Sequence, residues 1–324
     1  MNTVADKNIV PTTTGANRLG ALRRFAVTTT ILSLLGHIVL GFEVSYATPL
    51  LALVVAYATA ILLETCEARA HNRPAEFAGG AKSLVDFLLP YHIIALTCAM
   101  FLYPGDRLGP IAFATVLSVA SRYLIRIPSA SGSRHFLNPS NFGILATLIC
   151  FPAVGIFMPI QFSSQVGLAA DIALPVVLLG LGILLNAVYT KRLPLALAWL
   201  VAFIGQAVFR WAFADQQLLA MIGPATGASA MLYTFFMITD PGTTPSKLKP
   251  QLVFGAAIGI VYGALTMAHV VFGLFWALFL VSSGHGIYQA WSAQRESQSG
   301  GNASAVIHDL SINRVIPDTQ KLAG

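Results

Sequence analysis

A chain of 324 residues in which 56% of side chains are apolar and only 10% charged lies far from the roughly 25% charge of a soluble domain. Its mean hydropathy of +0.73 excludes an ordinary water-soluble fold. The net charge of +6 comes from cations scattered through short connecting segments, which argues against a nucleic-acid surface and for membrane topology.

Apolar stretches long enough to cross a bilayer fall near 25–42, 46–65, 84–103, 108–127, 141–160, 169–190, 193–213, 217–238, 251–268 and 270–290. The expected fold is therefore all-α: a polytopic membrane bundle of about ten transmembrane helices spanning 25–290. Polar cytoplasmic tails are expected at 1–24 and 291–324. With the N-terminus inside, the inner segments hold 17 of the 19 cations, and only Arg107 and Arg210 fall outside. Cationic side chains are retained on the cytoplasmic face during insertion, so an even number of spans with both termini inside is expected. The first apolar stretch sits behind 24 residues and shows no small-residue cleavage site, so it reads as a span and not as a signal peptide. Asn302-Ala303-Ser304 fits a glycosylation pattern but falls on the cytoplasmic side of this topology.

Ionisable and helix-breaking residues come next in chain order. His37 reads as a packing residue within the first span. Glu64, Glu67 and Asp86 lie at the inner ends of the second and third spans, where Arg122, about one turn before Arg126, can pair with one of them. Pro90 and His92 are positioned to break the third helix. The three cysteines, Cys66, Cys98 and Cys150, show no ligand spacing and read as packing residues, two of them mid-span. Gly223-Pro224-Ala225-Thr226-Gly227-Ala228-Ser229 weakens the eighth helix.

Two segments look alike. The third span ends Phe101-Leu-Tyr-Pro-Gly-Asp-Arg-Leu-Gly-Pro110 and the eighth ends Phe236-Met-Ile-Thr-Asp-Pro-Gly-Thr-Thr-Pro245. Five spans apart, they lie on opposite sides of the membrane, as in two inverted five-helix repeats with a site near the repeat interface.

Polar groups are costly inside a membrane, so polar clusters there point to function. One is Arg134-His135-Phe136-Leu137-Asn138-Pro139-Ser140-Asn141-Phe142-Gly143. Asn138 or Asn141 can cap the helix that Pro139 begins; the pair, beside Ser140, equally offers donors and acceptors to a planar heterocycle. The other is Thr239-Asp240-Pro241-Gly242-Thr243-Thr244-Pro245-Ser246. Here Asp240 and its hydroxyl neighbours form a solvated turn, or bind a cation or ligand donor. The sequence has no phosphate-cradling loop with Lys, no nucleophile elbow and no metal-binding histidine pair, hence no self-contained catalytic site and no expected metal.

Both clusters, in this order, resemble the NqrB/RnfD membrane family, which contains the D component of the Rnf electron-transport complex and the B component of the sodium-pumping NADH–quinone reductase. The residues carrying the likeness are Phe235-Phe236-Met237-Ile238-Thr239-Asp240-Pro241 with Thr244-Pro245, then Phe254-Gly255; and Phe136-Leu137-Asn138-Pro139-Ser140-Asn141-Phe142-Gly143. Weaker echoes are Leu178-Leu179-Gly180 through Lys191-Arg192-Leu193-Pro194, and Leu84-Val85-Asp86. The resemblance implies a flavin-bearing electron-transfer protein of the bacterial inner membrane, working with other membrane redox proteins. Members carry FMN joined to a threonine of a Ser/Thr-Gly-Ala-Thr tetrapeptide in an outer loop. Here that loop reads Gln161-Phe-Ser-Ser-Gln-Val-Gly-Leu-Ala-Ala170, and the nearest match, Thr226-Gly227-Ala228-Ser229, lies in another span. The expectation is thus a non-covalent flavin (riboflavin or FMN) contacted by Asn138, Ser140, Asn141, Thr239, Asp240, Thr243 and Thr244. Stand-alone relatives, including a type associated with enediyne biosynthesis, resemble this chain in lacking the usual context. The alternative is a small-solute or ion transporter on the same scaffold, and a third reading is a structural or assembly role in a larger complex.

Overall fold

The structure, a computed structural model, describes residues 15–39, 42, 44–129, 132–156 and 167–313. It is a helical bundle: α1 (Gly15–Ile38), α2 (Ala47–Ala70), α3 (Ala81–Phe101), α4 (Gly109–Leu124), α5 (Pro139–Cys150), α6 (Leu168–Leu184), α7 (Leu193–Phe213), α8 (Leu218–Ile222), α9 (Ala228–Leu232), α10 (Leu248–Met267) and α11 (Gly273–Asn313). Two π-helical turns, Leu185–Tyr189 and Tyr233–Met237, continue α6 and α9. Four strands make two antiparallel ribbons. β1 (Leu102–Tyr103) pairs with β4 (Gly155–Ile156), and β2 (Arg126–Ser129) pairs with β3 (Gly132–His135).

Each apolar stretch coincides with a helix or a bent pair of helices, but their lengths differ. Among the described residues four helices are long and apolar enough to cross a membrane: α2, α3, α7 and α10. A fifth is added if Leu218–Ala225 and Ser229–Met237, bent by 63°, count as one span. The bend falls at the Gly223–Thr226 3-10 turn, within the glycine-rich segment expected to weaken the helix. The stretch 141–160 does not form one long helix. α5 stops at Cys150, ahead of Pro152, which disfavours helical geometry in the residue before it. Its 12 residues extend about 18 Å, short of a hydrocarbon core of roughly 30 Å. Pro90 does not break α3, which runs through it without interruption. At the chain end, residues 291–313 continue α11, while 1–14 and 314–324 of the expected tails, and most of the outer loop 161–170, lie outside the described residues.

Small residues set the helix spacing. In α2 the buried positions Ala52, Ala56, Ala60, Glu64 and Ala68 recur every fourth residue and form one smooth stripe. In α10 the glycines 255, 259 and 263 face α7. A Cβ on Gly255 would sit 2.3 Å from the Leu195 carbonyl oxygen, and one on Gly259 would sit 2.5 Å from the Ala202 Cβ. A Cβ on Gly143 in α5 would likewise sit 2.3 Å from the Ala114 carbonyl of α4. Where these backbones touch, van der Waals contact replaces the hydrophobic drive that lipid does not supply. Between them lies a core of aromatic rings: Trp199–Tyr233 at 5.8 Å, Tyr233–Phe275 at 5.9 Å and Phe101–Phe275 at 6.0 Å between centroids. The outer faces are apolar too. Leu197, Val201, Ile204 and Val208 of α7 and Val253 and Ile260 of α10 are exposed, a surface suited to lipid.

Contacts among element ends sort them onto two sides. On one side, Arg23 at the start of α1 pairs with Asp86 of α3 at 2.6 Å, and Glu67 of α2 pairs with Arg126 of β2 at 2.5 Å. The Arg24 guanidinium lies 4.4 Å over the Tyr189 ring. Arg192 before α7 reaches Thr244 at 2.9 Å, and Gln251 of α10 reaches the Lys191 carbonyl at 3.1 Å. On the other side β1 and β4 join the ends of α3 and α5, and Tyr46 before α2 bonds the His37 carbonyl at the end of α1.

His37 lies in the last turn of α1, bonded to the Ser33 carbonyl and packed by Phe42 and Tyr46. Of the cysteines only Cys98 is buried; Cys66 and Cys150 are exposed, so the packing role is confined to Cys98. Arg122 has no acid partner among the described residues. It stacks 5.0 Å over the Tyr91 ring, and Arg126 takes Glu67 instead.

Candidate functional site

The Asn138–Gly143 and Thr239–Ser246 clusters meet on the side that carries Arg23, Arg126 and Arg192. Asn138 caps α5: its side-chain oxygen accepts the Asn141 N–H at 2.9 Å, and Pro139 occupies the first turn, where no donor is needed. Its amide nitrogen donates to the Met237 carbonyl at 3.0 Å, which joins the two clusters. Of the alternatives open in the sequence, the cap is formed, and both halves of the carboxamide are engaged within the protein.

The element it touches is the π turn Tyr233–Met237. A π register widens the helix and alters its carbonyl pairing, a feature frequent at functional sites. Side chains from four directions secure it. Asn186, in the other π turn, donates to the Phe235 carbonyl at 2.9 Å, and Thr239 donates to the same oxygen at 2.6 Å. Trp199 donates to the Thr234 hydroxyl at 3.0 Å, and the Tyr233 hydroxyl donates to the Leu274 carbonyl at 2.6 Å. Phe25 of α1 packs on Phe236 at 5.2 Å.

The turn that follows is internally bonded. Asp240 accepts the Gly242 N–H and the Thr243 hydroxyl, each at 3.0 Å, and its carbonyl accepts the Thr244 hydroxyl at 2.6 Å. Arg192, buried, donates through Nε to Thr244. Burial holds its guanidinium below the usual arginine range, and the charge of Asp240 partly offsets this. Thr239, Thr243 and Thr244 are buried. A Cβ on Gly242 would lie 3.3 Å from His135 Nε2, so the amide-bearing segment also touches the aspartate turn here.

Two oxygens in this region are buried without a hydrogen-bond partner: Asn141 Oδ1 and Gln251 Oε1. The Asn141 nitrogen donates to the Phe275 carbonyl, and the Gln251 nitrogen to the Lys191 and Ser246 carbonyls. Ser140, next to Asn141 in the first turn of α5, is buried. A planar ring with an imide N–H finds a free acceptor at Asn141 Oδ1. Gln251, in the first turn of α10 against Lys191, lies toward the opposite end of the bundle from Phe275, the partner of Asn141 in the first turn of α11, so one ring does not reach both. Asn138, Thr239, Thr243 and Thr244 offer it less, because their polar atoms already serve the fold.

The seven residues expected from sequence all lie in or next to this junction. Asn186, Arg192 and Gln251 went unassigned to it. Asn186 carried a readable signal, a carboxamide within an otherwise apolar stretch. Arg192 counted among the topogenic cations and within a weaker echo of the family, with no site role, and Gln251 opened an ordinary helix.

A second polar group sits on the same side. Glu64, buried in α2, pairs with Arg73 at 2.5 Å and accepts the Glu76 N–H at 2.8 Å. The Tyr91 and Tyr123 hydroxyls meet at 2.6 Å. No group of three or more metal-ligating side chains occurs among the described residues.

Long apolar helices with outward apolar faces and polar groups gathered at their ends define an α-helical membrane protein. Over 80 residues the chain is 31% identical to the D component of the ion-translocating oxidoreductase complex of Cronobacter sakazakii. The match covers 25% of this chain and spans only 23% of the length of that protein. No family model matches the chain.

Proposed function

We propose that this protein is a membrane electron-transfer protein, or a redox component of an ion-translocating oxidoreductase, of the bacterial inner membrane. Its helices form ten crossings in two inverted five-helix halves with both termini cytoplasmic. It holds a non-covalent flavin (riboflavin or FMN) beside the junction of the two polar clusters. The observation that carries this reading is the bond from Asn138 to the Met237 carbonyl. It unites the two segments that most resemble the NqrB/RnfD family, in a chain that also shares 31% identity over 80 residues with one component of an ion-translocating oxidoreductase complex.

Asn141 Oδ1 would accept from the ring edge, and Arg192 would set positive charge on the same side of the membrane. The flavin, when bound, supplies the electron carrier; the protein orients it and keeps water away. The test is the absorbance spectrum of the detergent-purified protein before and after denaturation. A yellow preparation that releases its chromophore on denaturation is the expected result. A folded, colourless protein overturns the proposal.

The sharp bend at Gly223–Thr226 favours one other reading, a small-solute or ion transporter, because broken helices line translocation paths. Flux in sealed vesicles abolished by Asp240→Asn, with no flavin in the preparation, decides for it.

A further inference from the structure

The end of the bundle away from Asp240 carries a second polar site, built on Arg210. This residue lies eighteen positions after Arg192, near the far end of the helix that Arg192 precedes, about 27 Å along its axis at 1.5 Å per residue. It is one of two cations that the topology leaves on the outer side. It is also 7% exposed.

A buried guanidinium ordinarily has a carboxylate partner, since removing an unpaired charge from water costs several kcal/mol. Arg210 has none within ion-pair distance among the described residues. It donates to two neutral oxygens, the Gln206 side-chain carbonyl at 3.2 Å and that of Gln216. Its Nε is buried and has no acceptor.

The surroundings hold this arrangement in place. The Gln206 nitrogen donates to the Phe203 carbonyl at 2.8 Å, which turns its oxygen toward Arg210. Gly263 of α10 leaves room for Gln206: a Cβ there would lie 2.9 Å from the Gln206 Cβ. Gln216 comes from the turn between α7 and α8. The two glutamines thus fix the guanidinium through Nη1 and Nη2. They leave the Nε edge, which is the edge that pairs side-on with two oxygens of an oxyanion.

We propose that Arg210 binds an oxyanion of the phosphate type between α7, α10 and the Gln216 turn. The charge is then neutralised by a ligand and not by the protein. A phosphate ester on a lipid headgroup and a free phosphate share this chemistry. The site is independent of the flavin reading.

The test uses the full-length protein purified and delipidated in a neutral detergent, with thermal unfolding followed by intrinsic fluorescence. One arm titrates inorganic phosphate at constant ionic strength. The other adds mixed micelles of phosphatidylglycerol, with phosphatidylcholine as control. A saturable rise in Tm with inorganic phosphate assigns the site to a free oxyanion. A rise with phosphatidylglycerol only assigns it to a lipid headgroup. In either case Arg210→Met abolishes the rise, and Arg210→Lys, which keeps the charge but loses the Nε edge, weakens affinity about tenfold or more. Arg210→Met removes a buried charge with an apolar side chain of similar length, so it is expected to fold; if it does not, Arg210→Lys carries the comparison. No rise in either arm, or an equal rise in the variants, overturns the proposal.

Discussion

Replacing Asn138 by alanine tests the junction directly. The change removes the α5 cap, worth about 1 kcal/mol, and the donor to the Met237 carbonyl. An interhelical bond of this kind contributes about 0.6–1.7 kcal/mol within a membrane, and the buried carbonyl is left without that donor. The expected loss is about 2–3 kcal/mol. Asn138→Ser separates the two contributions. A serine hydroxyl still accepts the Asn141 N–H but does not reach Met237, so about 1 kcal/mol of the loss should return. Asn186→Ala removes the parallel donor to Phe235 in the same π turn, and the double variant should depart from additivity by at least about 0.5 kcal/mol because both asparagines hold one element. Reversible unfolding in mixed micelles, followed by circular dichroism, gives the free energies. The reasoning is refuted if Asn138→Ala lies within about 0.5 kcal/mol of the unmodified protein, or if Asn138→Ser is as damaging as Asn138→Ala.

Three further outcomes are expected. Gly255→Ala forces a Cβ to within 2.3 Å of the Leu195 carbonyl and should lower stability by about 1–3 kcal/mol. Gly205→Ala in the facing helix, where nothing lies within 4 Å, should be neutral or stabilising by up to about 1 kcal/mol; thermal unfolding of the two proteins side by side checks this. Arg73→Ala strands a carboxylate at Glu64 whose side chain is 2% exposed, for an expected cost of about 3 kcal/mol. Arg23→Ala should cost under about 1 kcal/mol, because that arginine is 47% exposed in its pair with Asp86; Tm differences between the variants report the contrast. Denaturing the purified protein should release any flavin into the low-molecular-weight filtrate, with no fluorescence on the protein band, because the chain lacks the attachment tetrapeptide in its outer loop.

Much of the architecture follows from local pattern. Runs of apolar residues must hydrogen-bond their own backbone in a medium without water, so each run of this chain becomes helix. Pro139 behind Asn138 specifies a capped helix start, and Asp240 before Pro241-Gly242 specifies a turn. These are short-range effects, readable from neighbouring residues alone. Helix length was harder to read. Hydropathy does not register that α5 stops ahead of Pro152 or that α3 tolerates Pro90, because the balance there depends on what packs around the freed backbone groups.

The site is divided in the same way. That Asn138, Asn141, Asp240 and their hydroxyl neighbours bear polar chemistry inside an apolar chain is a property of composition and position. That Asn138 reaches Met237, that Asn186 and Trp199 secure the same π turn, and that Arg192 is buried against Thr244 are pairings between segments 35 to 99 residues apart. Partner choice at that separation is decided by helix packing, which the glycines of α10 and the alanines of α2 permit but do not encode in any local motif. The polar groups of this chain could therefore be named from its residues one by one. Only the packed bundle decided which of them satisfy each other and which, like Asn141 Oδ1, Gln251 Oε1 and Arg210 Nε, are left for something else to meet.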